Sequence, residues 1–317
     1  MPILNFWREA AGLENFSEIN YYKIDIIYTR TKIMSENPEQ LEKLEKSEGI
    51  LENELLVTPE GAFTFVHEYR QPSTGRVIKL VGMTHNAEQE YLNKVSNILD
   101  ECDLVIYEGP STPPPNKEST ADEMNESDKE IGEKLFSNNL DESFRFALPA
   151  LEIEIRKNLP LINERYHFDD TQPSWISGDA EWFAQHQDPA KQKEFEHTLL
   201  QEISQFPQES KLAIVMHIRN KVRDIRQRGL TPKDTQEFFE LAAEQTASMR
   251  PTLDRIMKSR HEILERTLCQ VIKERNPHTL GIKFGAYHIG YLRPQLEAQG
   301  YVLQNTIPLK AVSFGSE

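Results

Sequence analysis

The spacing of apolar and polar residues changes along the chain, and each change marks an element. An apolar run at 21–28 has strand character, and SENPEQLEKLEKSEGILENELL after it sets Leu41, Leu44 and Leu51 among many charges in the manner of a solvated helix. Residues 1–55 therefore read as an appendage of one strand and one charged helix. In AFTFVHEY the residues Phe63, Phe65 and His67 alternate onto one face, QPSTG supplies turn chemistry, and RVIKLVGM is apolar and β-branched, so the three predict a hairpin. Beyond His85, Tyr91, Leu92, Val95, Ile98 and Leu99 recur at helical spacing, with Asn86 placed to cap the helix, and LVIYEGP reads as a buried strand. Strand, helix and strand in that order predict a parallel pair.

The segment at 111–130, STPPPNKESTADEMNESDKE, is Pro-rich and then acidic and reads as an exposed loop or flap. From about 140 to 276 helical periodicity dominates, interrupted by the extended, turn-rich YHFDDTQPSWISGD. Strand character returns in TLGIKFGAYH, followed by a short helix, IGYLRPQLEAQG, closed by Gly300, and a last strand, YVLQNTI. The pattern predicts a single α/β domain over 56–317. It has a mixed central β-sheet flanked by helices on both faces, with a long helical insertion at about 140–276.

Composition removes several classes of function. The 317 residues suffice for a sizeable core, and 38% hydrophobic with 27% charged residues at a mean hydropathy of −0.60 describe a soluble chain with a polar surface. A net charge of −15 repels phosphate backbones and anionic lipid, so nucleic acid is not the expected partner. Cys102 and Cys269, both read as helical, cannot frame a fold of this size with disulfides and point to a reducing compartment. MPILNFWREAAG lacks a basic stretch followed by an apolar one, and no apolar run approaches the roughly 20 residues that span a bilayer. The expected location is cytoplasmic, without membrane insertion.

The candidate chemistry begins with an internal echo. IKLVGMTH and IKFGAYH each end in Gly, two residues and His, which places His85 and His288 just past the C-terminal ends of two strands. Ligands of open α/β sheets bind beyond those ends, where a glycine lets the backbone turn sharply and approach closely. Glu108 closes the apolar strand LVIY ahead of a Gly-Pro turn, and a carboxylate there needs a partner. Two imidazoles and one carboxylate form a known ligand set for divalent metals, which activate water for hydrolysis. A histidine after a strand also serves as an ordinary hydrogen-bonded turn residue, and spacing alone does not choose between the two.

Arg260 falls within an apolar stripe of Leu253, Ile256, Met257, Leu264, Leu268 and Val271 on a helix expected over 252–273. A guanidinium in such a stripe requires an acceptor, either a substrate oxyanion or a structural partner among Glu164, Asp169 and Asp179. Asp179 also suits the N-cap of a short helix. His261 reads as helix surface or satisfied core, His217 as packing, and Tyr107, Tyr287 and Tyr291 as an aromatic ligand wall or as packing. Neither a glycine-rich phosphate loop, nor a G-x-S-x-G elbow, nor an H-E-x-x-H helix occurs, which argues against nucleotide loops, serine hydrolases and zincins.

These segments resemble the TraB/PrgY/GumN family and its TIKI relatives, within a superfamily that includes erythromycin esterases and haem-binding ChaN proteins. LVGMTHNAEQEYLNKVSNILDECDLVIYEGP resembles the family's first Gly-x-x-His strand, helix and Glu-ending strand, and WISGDAEWF its middle motif. KSRHEILERTL resembles its Arg-bearing helix and LGIKFGAYHIGYLRPQLEAQGYVL its second Gly-x-x-His segment, so the likeness runs in order over 77–303. The resemblance implies a TIKI-, erythromycin-esterase- and ChaN-like α/β fold and a metal-dependent hydrolase that cleaves a peptide or amide bond with metal-activated water. It places a divalent ion (Mn, Co or Zn) on His85, Glu108 and His288, catalytic roles on Glu108 and Arg260, and substrate contacts on Gly82, Asp179 and Gly285, to which Tyr287 of the aromatic wall is added as a further expected substrate contact. Arg260 would steady an oxyanion or orient Glu108, and Glu108 would be the general base if it stays off the metal. The partner is then a peptide or small-molecule substrate. The superfamily also implies two alternatives, a non-catalytic binder of haem or another cofactor, and a metal-free His/Glu esterase. One departure stands out, because many relatives carry Asn after the Arg where this chain has His261.

Overall fold

The computed structural model describes residues 54–109, 120–164, 167–168, 172–186 and 188–315. The strand and charged helix expected within 1–53 lie outside the described residues. In chain order the strands are β1 (Leu55–Thr58), β2 (Gly61–Arg70), β3 (Val77–Met83), β4 (Asn86–Ala87), β5 (Leu104–Tyr107), β6 (Ile162–Asn163), β7 (Trp175–Ser177), β8 (Thr279–Gly285) and β9 (Val302–Ser313). The helices are α1 (Gln89–Asp100), α2 (Thr120–Leu135), α3 (Leu140–Asn158), α4 (Ala180–His186), α5 (Pro189–Ser204), α6 (Gln208–Arg228), α7 (Pro232–Ile256), α8 (Lys258–Arg275) and α9 (Ala286–Ala298).

The expected hairpin is β2 with β3. Its turn closes where the amides of Thr74 and Gly75 donate to the Gln71 carbonyl, and Gly75 takes the left-handed conformation at φ 76°. The sheet is mixed, as expected. β1, β3 and β9 pair antiparallel with β2, whereas β3, β8, β5 and β7 run parallel in that spatial order. Side chains alternate by strand periodicity. Ile78, Leu80, Ile106, Leu280, Ile282 and Phe284 face a core made with α8 and α9, while Val81, Met83, Val105 and Tyr107 face a second core under α1, α3, α6 and α7. Among the described residues no helix is long and apolar enough to cross a membrane.

Several expectations are corrected. β3 and β5 are parallel but not neighbours, because β8 fills the gap between them and pairs with both. Asn86 does not cap α1. Its backbone pairs with Asn163 and its side chain donates to Glu152, so the capping position falls to Glu88, which makes no side-chain cap. Within the expected loop at 111–130 helix α2 begins at Thr120, while 111–119 lie outside the described residues. The helix expected over 252–273 is two helices broken at Met257. Cys102 sits just past α1 rather than inside it. The extended stretch expected to interrupt the insertion contains β7, and because β7 pairs with β5 the insertion adds a strand to the main sheet before the strands near the end of the chain.

The passage from β7 into α4 depends on the absence of a side chain at Gly178. A methyl group there would stand 2.7 Å from Phe284 Cζ, 2.8 Å from Ile106 Cγ2 and 2.8 Å from Leu264 Cδ1. Gly178→Ala is therefore expected to destabilise the protein by about 1–3 kcal/mol through overpacking, read as a lower midpoint of urea unfolding with an unchanged slope.

Candidate functional site

Because β3, β8, β5 and β7 run parallel, their C-terminal ends lie along one edge of the sheet. Each end is followed within a few residues by a polar side chain that the sequence singled out: His85 after β3, His288 after β8, Glu108 after β5 and Asp179 after β7. This is the edge at which open α/β sheets place ligands. A methyl group on Gly285 would stand 3.1 Å from Glu108 Oε2, 3.7 Å from His288 Cδ2 and 3.9 Å from His85 Nε2, so the three side chains converge on that glycine. Its lack of a side chain permits the approach, and its amide donates to Glu108 Oε2 at 2.5 Å.

Arg260 ties the strand ends together from α8. Its Nε donates to Asp179 Oδ2 at 2.7 Å and its Nη2 to Glu108 Oε1 at 2.9 Å, while Nη1 lies 3.4 Å from His288 Nε2. The guanidinium lies over the rings of Trp182 and Phe183, at 4.9 and 5.2 Å from their centroids. Of the partners weighed for it, Asp179 is found and Glu164 pairs elsewhere, while Asp169 lies outside the described residues. Asp179 is fully buried, and its other oxygen accepts from the Gly109 amide at 3.0 Å, so its side chain serves this network rather than the start of α4. Burial works against ionisation of Glu108, yet the hydrogen bond and charge of His288 and the charges of Arg260 and His85 hold its carboxyl far below the usual range.

On the other side of Glu108 stands a dyad only half foreseen. The short pairing of β4 with β6 brings Glu164 against His85: the Glu164 amide donates to the His85 carbonyl at 3.0 Å, and Nδ1 of His85 lies 2.7 Å from Glu164 Oε1. Oε2 of Glu164 lies 2.7 Å from Nζ of Lys283, a buried lysine of β8 placed over the Phe168 ring. The imidazole itself is open to solvent at 61% exposure, whereas the Glu164 side chain keeps 8%. The hydrogen bond to Glu164 raises the pKa of His85, and the charges of Lys283 and His85 hold Glu164 low despite its burial. From sequence, Glu164 reads only as a partner for Arg260. The one sign of Lys283 was a cation in an otherwise apolar strand, LGIKF.

Gly82 lets β3 pass beneath the start of α9, where a methyl group on it would stand 3.5 Å from Ala286 Cα. Tyr287 donates to Asp254 Oδ1 at 2.8 Å, and its ring lies 5.2 Å from that of His288. His261 is core rather than surface, with Nε2 at 2.8 Å from His288 Nδ1. Burial and the charges of His288, Arg260 and Arg250 push its pKa down to about 3.

Among the described residues no group of three or more His, Cys, Asp and Glu is arranged to hold a metal ion. The donors explain this. Arg260 and the Gly285 amide occupy both oxygens of Glu108, and Nη1 of the same guanidinium stands beside the Nε2 that His288 would offer. As arranged, His85, Glu108 and His288 do not fit a divalent cation, because a fixed cation already sits among them. Comparison with protein families, with curated proteins and with solved structures finds no match to this chain.

Proposed function

We propose that the chain is a hydrolase of an amide, peptide or ester bond, in which the His85–Glu164 dyad activates water without a metal, in keeping with its resemblance to the superfamily of TraB-like proteins and erythromycin esterases. The observation that supports this most directly is the exposed imidazole at the sheet edge with its inner nitrogen held by a buried carboxylate. Neutral His85 donates from Nδ1 to Glu164 and keeps a lone pair on Nε2, which faces Glu108 and Gly285. That lone pair takes a proton from water as its oxygen attacks the carbonyl, and the imidazolium formed is stabilised by Glu164. The same nitrogen then returns the proton to the leaving group. Lys283 keeps Glu164 ionised and in place, and the wall of Glu108, Arg260, Asp179 and His288 gives the substrate a fixed set of charges to dock against.

The test is turnover of chromogenic esters and anilides by chelator-treated full chain, with and without added manganese, cobalt or zinc. Turnover without metal supports the reading. Turnover that returns only with metal would overturn it in favour of a metal-dependent reaction. Absence of turnover together with tight binding of haem or another cofactor would favour the binding protein.

Acidity offers a second check. The base works only when neutral, so turnover should rise with pH through the pKa of His85, above the ordinary imidazole value of 6.5 because Glu164 favours the charged form. In Glu164→Gln the midpoint of the pH–rate profile should move down toward that ordinary value while the maximal rate falls.

A further inference from the structure

β9 forms an edge of the main sheet, and among the described residues it pairs with β2 alone. At its C-terminal end Glu88 takes up the outward backbone: the Glu88 amide donates to the Ala311 carbonyl at 2.9 Å, and its carboxylate accepts from the Ser313 amide at 2.6 Å. Over 302–307 no such neighbour stands among the described residues, and Gln304 folds its own side-chain amide onto the Val302 and Leu303 carbonyls instead. Val302, Leu303 and Ile307, three of the six large apolar side chains exposed among the described residues, lie in this stretch at 49, 37 and 38% exposure. An open apolar edge of this kind is a template for another strand. Pro308 comes next and has no amide to offer, so any added strand pairs ahead of it.

We propose that the edge of β9 over 302–307 receives residues 21–28 of this same chain, YYKIDIIY, as an added strand; that segment lies outside the described residues. The place where the described chain begins favours this occupant. Oε2 of Glu54 lies 2.6 Å from Nε2 of His67, and Nδ1 of that imidazole lies 3.0 Å from Thr306 Oγ1, so the chain enters beside the open stretch of β9. Arg293 donates to the other oxygen of Glu54 at 3.0 Å and fixes that entry against α9. Residues 29–53 separate Glu54 from the segment, and even wholly helical they would span about 37 Å, against roughly 10 Å for two strand spacings. Charge agrees with this choice. Residues 302–307, VLQNTI, carry no charged side chain, and Lys23 and Asp25 cancel within the segment, whereas a second copy would bring another body of net charge −15 to the same edge. Strand alternation sets Tyr22, Ile24, Ile26 and Tyr28 on one face and Lys23 and Asp25 on the other, so the added strand extends the sheet with one apolar side and one polar side. None of this depends on the hydrolase reading.

Hydrogen exchange of the full chain, resolved to single amides, reads the pairing. Over 302–307 the amides that face β2 are protected in any case, so those pointing away from it decide. In the wild type these amides, and alternate amides of 21–28, should exchange at least about tenfold more slowly than in a free chain. The double variant Ile24→Asn/Ile26→Asn keeps the net charge and breaks the apolar face of the segment. It should return the outward amides of β9 to free-chain rates while those of β3, β5 and β8 stay protected. Ile307→Lys alters the edge instead, where a lysine opposes strand addition, and should release the amides of 21–28. This second variant decides the matter if the first disturbs the whole sheet. Outward amides of β9 that exchange freely in the wild type, or that stay protected in both variants, would overturn the proposal. So would protection that fades on dilution in a protein that sediments as a dimer, which would assign the edge to a second copy.

Discussion

His85→Gln should lower kcat by about a hundredfold to ten-thousandfold, the range a positioned general base contributes, with little change in thermal unfolding. The two expectations come from the same geometry. The side chain is 61% exposed, so little apolar contact is lost, and glutamine retains a group able to bond Glu164. What glutamine cannot do is accept and return a proton near neutral pH. Stopped-flow or steady-state turnover beside differential scanning calorimetry separates the effects. A variant that melts like the wild type and turns over at the same rate would remove His85 from the chemistry and leave Glu108 as the alternative base.

Arg260→Met should act on stability as strongly as His85→Gln acts on rate. The guanidinium is nearly buried between Asp179, which has no exposed surface, and Glu108, so its removal leaves two carboxylates without their shared cation. Breaking a buried pair in this way costs about 3–5 kcal/mol, measured as the loss in free energy from urea titration. Acid dependence gives a second reading. Glu108 and Glu164 have carboxyls lowered in the folded state from an ordinary 4.5, so the stability they supply is present above that value and is lost as pH falls toward the depressed ones. Removing Arg260 weakens one force that lowers Glu108, so the variant's stability should depend less on pH across the acid range. An Arg260→Met protein as stable as the wild type would show that the ion pairs are decorative.

The strand ends were legible in the sequence because the chemistry there follows period-two patterns that stop abruptly. Glycine followed by His at the ends of IKLVGMTH and IKFGAYH, and Glu after LVIY, marked the positions that the sheet brings together. Asp179 and Arg260 could be paired only as one possibility among several, since helix periodicity tells which face is buried and not what lies opposite. The order of the sheet was not legible. Local pattern joins β3 to β5 through α1, and nothing in it announces that a strand from far along the chain will enter between them. Glu164 was hidden for a related reason. It is brought to His85 by a pairing of two residues per strand, too short to leave a periodic trace.

The position of β8 has a bearing on how the protein is made. Synthesis delivers β3 and β5 early, but the strand that joins them arrives only after the helical region, at residues 279–285. Until then each presents an apolar edge with no neighbour on that side, and the contacts that complete the sheet join residues about two hundred positions apart in sequence, as with Ile78 and Leu280. Topologies of this kind fold slowly and expose unpaired edges on the way, which makes the nascent chain a natural client for chaperones that shield strands. The same delay withholds His288 from the other groups at the sheet edge, so a chain stopped short of residue 279 would lack both the keystone of its sheet and part of the wall that holds Arg260.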